Sequence, residues 1–205
     1  MTGTGTLFTV SAPSGAGKTS LVNALIKSTE GIQVSISHTT RAMRPGEQNG
    51  VDYHFTSRET FTAMLDASAF LEHAEVFGNF YGTSRDWVNN RLQQGRDVIL
   101  EIDWQGAAEV RRLMPETVGV FILPPSMETL KERLNKRGQD DDETIARRVA
   151  EAKAEIQHYG EADYLIVNRD FDLALEQLRS VILSQCLKTE KQKKQLHTVL
   201  QDLLS

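Results

Sequence analysis

The stretch from Leu7 to Leu21, LFTVSAPSGAGKTSL, joins a short apolar segment to an amphipathic one through a turn of small residues. The apolar segment predicts a buried strand, and the leucines and valine that follow Lys18 recur at helical spacing. Gly15 and Gly17 allow the backbone between the two elements to curl without Cβ clashes. The stretch therefore predicts a strand, a tight turn and a helix that begins at about Lys18.

This turn has the chemistry of a phosphate-binding loop. It reads A-P-S-G-A-G-K-T, and only Ala12 departs from the pattern G-x-x-x-x-G-K-[ST]. Backbone N–H groups at the start of a helix hold phosphate oxygens, Lys18 would reach the β- and γ-phosphates, and the Thr19 hydroxyl would bind Mg²⁺. An ordinary glycine-rich turn is the alternative. We expect a nucleotide to contact Ser11, Ala12, Pro13, Ser14, Gly15, Ala16, Gly17, Lys18 and Thr19.

The composition bounds the kind of protein. A chain of 205 residues, 40% hydrophobic and 25% charged, is long enough for one sizeable α/β core with a small inserted subdomain. No apolar run approaches bilayer length and the N-terminus does not resemble a signal peptide, so we expect a cytoplasmic protein with no membrane partner. The single cysteine, Cys186, fits a reducing compartment. A net charge of −5 argues against a nucleic-acid surface.

A dense polar segment, SHTTRAMRPGEQNGVDY, begins at Ser37, at the end of a second predicted strand that starts at Ile32. Arg41 and Arg44 lie three residues apart, where one turn would aim both guanidinium groups at the same point, and guanidinium forks match phosphate oxygens. Ser37 and Tyr53 would add hydroxyl donors. Beside a phosphate-binding loop, we interpret this segment as a second anion site, with two solvated loop arginines as the alternative.

The stretch FLEHAEVFGNFYGTS, which begins at Phe70, alternates as a strand does and puts Glu72 on an otherwise apolar face. A carboxylate in that position needs a partner. Glu75 falls on the opposite face and fits a solvated role, whereas Tyr81 and Thr83 follow Glu72 as hydroxyl donors. We interpret Glu72 as a ligand contact, with a surface glutamate as the alternative.

The run DVILEID predicts another buried strand, with Asp103 at the end where open α/β sheets place their ligands. A carboxylate there orients Mg²⁺ or its waters, or contacts the second substrate, and a helix N-cap is the alternative. Asp103 and Gly106 also match the D-x-x-G element of GTPases. The chain has no N-K-x-D, however, which argues against a regulatory GTPase.

From Ser126 the composition becomes strongly charged, with basic residues on both sides of an acidic patch. Near a phosphate-binding loop, we interpret this region as a mobile flap that excludes water and neutralises transferred phosphate, with a solvated helical hairpin as the alternative. Beyond it, a last predicted strand ends at Asn168. The tail after Lys188 carries apolar residues at helical spacing and predicts an appended helix that packs on the core or on a neighbouring subunit.

Four of these stretches resemble the guanylate kinases, the nucleoside monophosphate kinases that phosphorylate GMP. They read SAPSGAGKTSL, TTRAMRPGEQNGVDYHF, FLEHAEVFGNFYGTS and EIDWQGA, in family order between about residues 6 and 184. The resemblance implies an α/β fold, a three-layer P-loop NTPase core with a five-stranded parallel sheet, plus a GMP-binding insert and a helical lid. The implied bounds are a domain over 4–184, with core segments 1–36, 91–125 and 151–184, insert 37–90 and lid 126–150, and a helical tail over 185–205.

The resemblance also implies residue roles. The GMP phosphate contacts fall on Ser37, Arg41, Arg44, Tyr53 and Tyr81, and the guanine contacts on Glu72, Thr83 and Asp103. The lid arginines fall on Arg133, Arg137 and Arg148, and the adenine-side contact on Asn168. The implied catalytic groups are Lys18, Arg41, Arg137 and Arg148, with Mg²⁺ held by Thr19 and Asp103, directly or through water. The implied reaction is transfer of the γ-phosphoryl group from ATP to GMP.

Guanine chemistry fits these positions independently. The Glu72 carboxylate can accept from N1–H and the exocyclic amine of guanine, and Thr83 can donate to O6, whereas adenine presents the opposite pattern. Two alternatives remain: a non-catalytic guanylate-kinase-like module that binds phosphopeptides in the GMP site, and a kinase for another small phosphate. The first would not require Lys18, and the second would not require Glu72. A homo-oligomer through the C-terminal helix is a further expectation.

Overall fold

The structure is a computed structural model that describes residues 4–76, 78–136 and 142–205. The strands are β1 (Leu7–Ser11), β2 (Ile32–Val34), β3 (His38–Thr39), β4 (His54–Phe55), β5 (Phe70–Val76), β6 (Asn79–Ser84), β7 (Asp97–Glu101), β8 (Val118–Leu123) and β9 (Tyr164–Val167). The helices are α1 (Lys18–Ser28), α2 (Arg58–Asp66), α3 (Arg85–Gln93), α4 (Trp104–Leu113), α5 (Met127–Lys136), α6 (Asp142–Ile156), α7 (Phe171–Cys186), α8 (Thr189–Gln195) and α9 (His197–Leu204).

A five-stranded sheet with the order β2-β7-β1-β8-β9 forms the centre of the fold, and all of its neighbouring strands are parallel. This confirms the predicted sheet. Strand β1 is buried along its whole length, as expected for a parallel strand covered on both faces. Val10 pairs with Glu101 on β7, so the C-terminal ends of these two strands meet at one edge of the sheet.

Two apolar clusters cover the two faces of this sheet, which confirms the three-layer arrangement. Phe8 and Val10 of β1 pack with residues of α1 and α7, such as Leu21 and Leu178. Leu7 points to the opposite face, in the cluster that holds α3 and α4. Among the described residues, the first cluster buries 15 apolar residues and the second buries eight, and burial of each large side chain contributes about 1.5–3 kcal/mol. This packing fixes the loop after β1 relative to the end of β7.

A second, four-stranded sheet of order β4-β3-β6-β5 stands beside the first. The predicted strand from Ile32 to Ser37 was wrong in its second half, because β2 ends at Val34. The chain then crosses to the second sheet, where His38 and Thr39 pair with Gly82 and Tyr81. The polar segment after Ser37 therefore leaves the core sheet and folds against β6.

Side-chain caps begin several of the described helices, among them α2, α3 and α4. Ser57 accepts from the Thr60 amide at the start of α2, and Ser84 accepts from the Trp87 amide at the start of α3. Asp103 caps α4 by accepting from the Gly106 amide at 2.9 Å. Such caps stabilise a helix by about 1 kcal/mol. Asp103 is therefore a helix N-cap, which is the alternative that the sequence left open for it.

The C-terminal part of the chain does not form the single appended helix that the sequence predicts. It forms two short helices, α8 and α9, because the helix breaks at Leu196. Lys191 on α8 lies 3.6 Å from the Asp97 carboxylate and ties this helix to the start of β7. Helix α6 continues to Ile156, six residues beyond residue 150. Within the described ranges, no helix combines the length and apolarity needed to cross a membrane.

Candidate functional site

The predicted phosphate-binding loop lies between β1 and α1, and its backbone conformation explains why two of its residues are glycine. Gly15 and Gly17 have φ angles of +90° and +94°, in the left-handed region. A Cβ atom on Gly17 would also lie 2.4 Å from the side-chain nitrogen of Asn168. Any side chain here would therefore combine backbone strain with a steric overlap. The loop can adopt this path only because position 17 is glycine.

The first residues of α1 face the end of β7. The Lys18 ammonium donates to the Ile102 carbonyl at 3.1 Å, and the Thr19 hydroxyl donates to the Glu101 carboxylate at 2.9 Å. Parallel pairing of β1 with β7 creates this proximity, since both strands end at the same edge. The edge therefore carries one ammonium, one hydroxyl and the carboxylates of Glu101 and Asp103.

Asn168 and Arg133 close the other side of the loop. The buried Asn168 amide donates to the Ala16 carbonyl at 2.7 Å. Arg133 on α5 donates to the same carbonyl at 3.3 Å and to the Asn168 carbonyl at 3.0 Å. The structure thus brings together the end of β9, helix α5 and the loop after β1.

A cleft of about 330 Å³ lies between the two sheets. Most residues that the sequence singled out for the GMP side line it, together with Lys18 and Arg148. Its walls hold four cationic and four acidic side chains, so the cleft is polar and balanced in charge. The lining residues that the sequence singled out are Lys18, Ser37, Arg41, Arg44, Tyr53, Glu72, Tyr81, Asp103 and Arg148, and Glu47 and Glu101 line the cleft as well.

Glu47 organises the arginine segment and was missed by the sequence analysis. One of its carboxylate oxygens accepts from the Arg41 guanidinium at 2.6 Å, and the other accepts from the Arg44 amide at 2.8 Å. This hydrogen bond to Arg41 holds the pKa of Glu47 below its usual value. Arg41 also lies over the Tyr53 ring, 5.4 Å from its centroid. The sequence feature that could have identified Glu47 is its position three residues after Arg44, inside the segment that carries the family resemblance.

Glu72 is the most deeply buried carboxylate of the cleft, with 3% of its surface exposed. The Thr83 hydroxyl, fully buried on the paired strand, donates to it at 2.5 Å. Burial raises the pKa of Glu72 to about 7, and the neighbouring Asp103 and Glu109 charges act in the same direction, while the Thr83 hydrogen bond opposes them. The carboxyl group therefore changes its charge near neutral pH.

The position of Thr83 differs from the direct role expected for it. Its hydroxyl proton is engaged by Glu72, and its side chain lies behind that carboxylate and not on the cleft wall. Gly106 approaches from the other side, where a Cβ atom would lie 2.7 Å from a Glu72 oxygen. Glu72 is thus held between Thr83 and the start of α4.

Arg137, the remaining predicted lid arginine, lies outside the described residues.

Comparisons with known proteins agree on one family. The family model described as guanylate kinase matches residues 4–185. The guanylate kinase of Saccharophagus degradans is 63% identical over 205 residues, covering 100% of both chains. The guanylate kinase of Vibrio cholerae is 55% identical over 205 residues, covering 99% of both chains.

A solved structure carries the same fold. The crystal structure of guanylate kinase from Anaplasma phagocytophilum superposes with a TM-score of 0.77 at 36% identity, over 92% of this chain and 89% of that one. The sequence relatives named above extend over nearly the full length of the chain. The chain therefore belongs to the guanylate kinase family.

Proposed function

We propose that the cleft between the two sheets performs the guanylate kinase reaction, the transfer of the γ-phosphoryl group from ATP to GMP. One observation carries the proposal: the phosphate-binding loop and the arginine segment, which are far apart in sequence, contribute Lys18, Arg41 and Arg44 to one cleft with Glu72. A phosphate binder on each side of a cleft is what transfer between two nucleotides requires. The phosphopeptide-binding alternative would need only the arginine side.

GMP occupies the side of the cleft formed by the second sheet. Arg41, Arg44, Ser37 and the two tyrosines, Tyr53 and Tyr81, bind its phosphate. Guanidinium groups and hydroxyls provide the donors that phosphate oxygens accept. The guanine ring lies towards Glu72, which accepts from N1–H and the exocyclic amine, with Asp103 as a further contact. Thr83 serves guanine recognition through Glu72, because its hydroxyl orients that carboxylate.

ATP occupies the side formed by the core sheet. Its phosphates lie against the loop from Ser11 to Thr19, where main-chain N–H groups and the start of α1 favour negative charge. Arg133 and Asn168 lie on the nucleotide side, supported by their shared contact with the Ala16 carbonyl. Arg148 on α6 and Arg137 act on the phosphoryl group from the lid. Lys18 reaches the same group from the loop.

The oxygen donors at the end of β7 fit Mg²⁺, which prefers carboxylate, hydroxyl and water oxygens. Thr19 and Glu101 already meet there, and Asp103 follows two residues later. Within the described ranges, no group of three or more His, Cys, Asp or Glu side chains could hold a metal ion. We propose that Thr19 holds the ion, with Asp103 and Glu101 contacting its waters. When bound, Mg²⁺ supplies positive charge that neutralises the phosphate oxygens.

The mechanism is positioning and charge neutralisation. The GMP phosphate is ionised at neutral pH and needs no general base, so the chain must hold two polyanions in line. Arg41 and Arg44 fix the attacking phosphate, while Lys18 and the lid arginines stabilise the charge on the transferred group. Helices α5 and α6 exclude water when they cover the cleft.

Guanosine affinity is expected to rise about tenfold between pH 6 and pH 8, since the ionised Glu72 is the form that accepts two guanine hydrogen bonds. Its pKa of about 7 leaves roughly one tenth ionised at pH 6 and nine tenths at pH 8. Guanosine, which lacks the titrating phosphate, isolates this effect in calorimetric titrations. Glu72→Gln should bind weakly with no pH dependence. A flat guanosine profile for the unchanged protein would remove Glu72 from base recognition.

Three further assignments complete the proposal: the bounds of the insert and the lid, the cellular location and self-association. The insert over 37–90 and the lid over 126–150 are the two parts that bind GMP and cover the site. A single cysteine, which fits a reducing compartment, supports a cytoplasmic location. Exposed leucines on α9, with Leu203 and Leu204 at 76% and 87% exposure, support self-association through the C-terminal helices.

A further inference from the structure

A tight turn from Arg44 to Glu47 folds the arginine segment (residues 37–53) back on itself. The Glu47 amide donates to the Arg44 carbonyl at 3.1 Å, which is the hydrogen bond that closes a β-turn. Proline fixes its own φ near −65°, and Gly46 has a φ of +90°, so Pro45 and Gly46 fit the two central positions of a type II turn. The sequence R-P-G-E therefore places Glu47 beside Arg44.

Both oxygens of the Glu47 carboxylate are used within this segment. Oε2 accepts from the Arg44 main-chain amide at 2.8 Å, so a second hydrogen bond closes the turn. Oε1 accepts from the Arg41 guanidinium at 2.6 Å, which is a short, charge-assisted hydrogen bond. One carboxylate thus fixes the backbone at one arginine and the side chain of the other.

The Arg41 guanidinium is held in one orientation by several groups. Besides its contact with Glu47, it donates to the Ala42 carbonyl at 2.7 Å. It also lies over the rings of Tyr53 and Phe55, 5.4 Å and 5.7 Å from their centroids. A guanidinium has five N–H donors, so donors remain for a phosphate after these two hydrogen bonds. The Arg41 side chain is 13% exposed and lines the cleft.

The charge of the segment still favours an anion. The guanidinium groups of Arg41 and Arg44 stand against the single Glu47 carboxylate, and all three residues line the cleft. Pairing Arg41 with a carboxylate weakens its attraction for a phosphate, but it also orders a long side chain before the phosphate binds. Ordering such a side chain during binding costs affinity, so its orientation in advance favours the complex.

We propose that Glu47 is a positioning residue for the GMP phosphate. Its carboxylate holds the Arg41 side chain and the Arg44 backbone in the arrangement that binds the phosphate oxygens, and it acts through these two arginines. The guanine base is bound at Glu72 on β5 and does not depend on Glu47. The inference rests on the proposed function, which assigns Arg41 and Arg44 to the phosphate.

The test compares GMP with guanosine, which lacks the phosphate, in calorimetric titrations at pH 8, where a phosphate monoester is doubly charged. Glu47→Gln removes the charge and keeps the size of the side chain. We expect the Kd for GMP to rise about tenfold, the upper range for ordering one long side chain on binding, while the Kd for guanosine stays within about twofold. Glu47→Asp, which keeps the charge on a shorter side chain, should show a smaller loss with GMP alone.

Asp52→Asn is the matched control. Asp52 is an exposed carboxylate in the same segment, and it accepts from the Gln48 amide at 2.7 Å. Its substitution removes an equal charge, and both Kd values should stay within about twofold of those of the unchanged protein. Thermal unfolding checks that each variant is folded, and Glu47→Asp carries the comparison if Glu47→Gln is not.

An equal loss of affinity for GMP and guanosine would overturn the inference, because Glu47 would then support the insert as a whole. Unchanged or tighter GMP binding by Glu47→Gln would also overturn it, since the carboxylate would then only compete with the phosphate for Arg41. If the unchanged protein binds GMP no more tightly than guanosine, the assignment of the arginine segment to the phosphate fails first. The two failures are therefore distinguishable.

Discussion

Replacing Lys18 with alanine is expected to lower kcat by about 10²- to 10³-fold and to leave the Kd for GMP within about threefold. The ammonium lies at the start of α1, 3.1 Å from the Ile102 carbonyl, on the loop side of the cleft. Its charge acts on the phosphoryl group in transit, which comes from ATP and not from GMP, so its loss affects the transition state more than GMP binding. Steady-state kinetics and calorimetric GMP titrations measure the two quantities separately.

Lys27→Ala is the matched control for this substitution. Lys27 is in the last turn of the same helix, exposed and far from the cleft, so its loss removes an equal charge without touching the site. We expect kinetic constants close to those of the unchanged protein. A Lys18→Ala variant that retained kcat within about threefold would contradict the catalytic assignment of the loop.

Glu72→Gln is expected to reduce kcat/KM for GMP by about 10²-fold or more and to weaken the preference for GMP over AMP. The carboxylate can accept both guanine donors, whereas the amide supplies one acceptor and one donor. A buried site that is left with an unpaired group rejects the wrong base by about 10⁴ to 10⁵, so much of the selectivity is expected to depend on this side chain. Competition kinetics with GMP and AMP measure the change.

Glu75→Gln on the same strand provides the comparison. Glu75 points to the opposite face of β5, is 54% exposed and lies 3.9 Å from Arg58, so its substitution leaves the cleft unchanged. It should alter neither kcat/KM nor base selectivity. If Glu72→Gln kept the full preference for GMP, guanine recognition would have to depend on another group, such as Asp103.

The phosphate-binding loop and the core sheet were predictable because their signals are local. An apolar strand, two glycines with positive φ and a helix beginning at Lys18 follow one another along the chain. The alternation that put Glu72 and Glu75 on opposite faces was likewise confirmed by their burial. In both cases one short segment contains the whole pattern.

Contacts between distant segments could not be read from such patterns. Thr19 meets Glu101 across 82 residues, and Asn168 meets Ala16 across 152, because strand order in the sheet decides both. The second half of the predicted strand after Ile32 failed for the same reason, since pairing with β6 draws it into another sheet. Glu47 is close to Arg44 in sequence, but only the folded turn shows that its carboxylate accepts from both the Arg41 side chain and the Arg44 amide.

The most direct test of the account is a coupled ADP-release assay with ATP and Mg²⁺ that offers GMP, AMP, CMP and UMP in parallel. The account predicts turnover with GMP and none above background with the other three, because Glu72 accepts hydrogen bonds that only guanine can donate from N1 and its amino group together. Comparable turnover with AMP, or no turnover with any of the four by protein that still binds GMP, would contradict it.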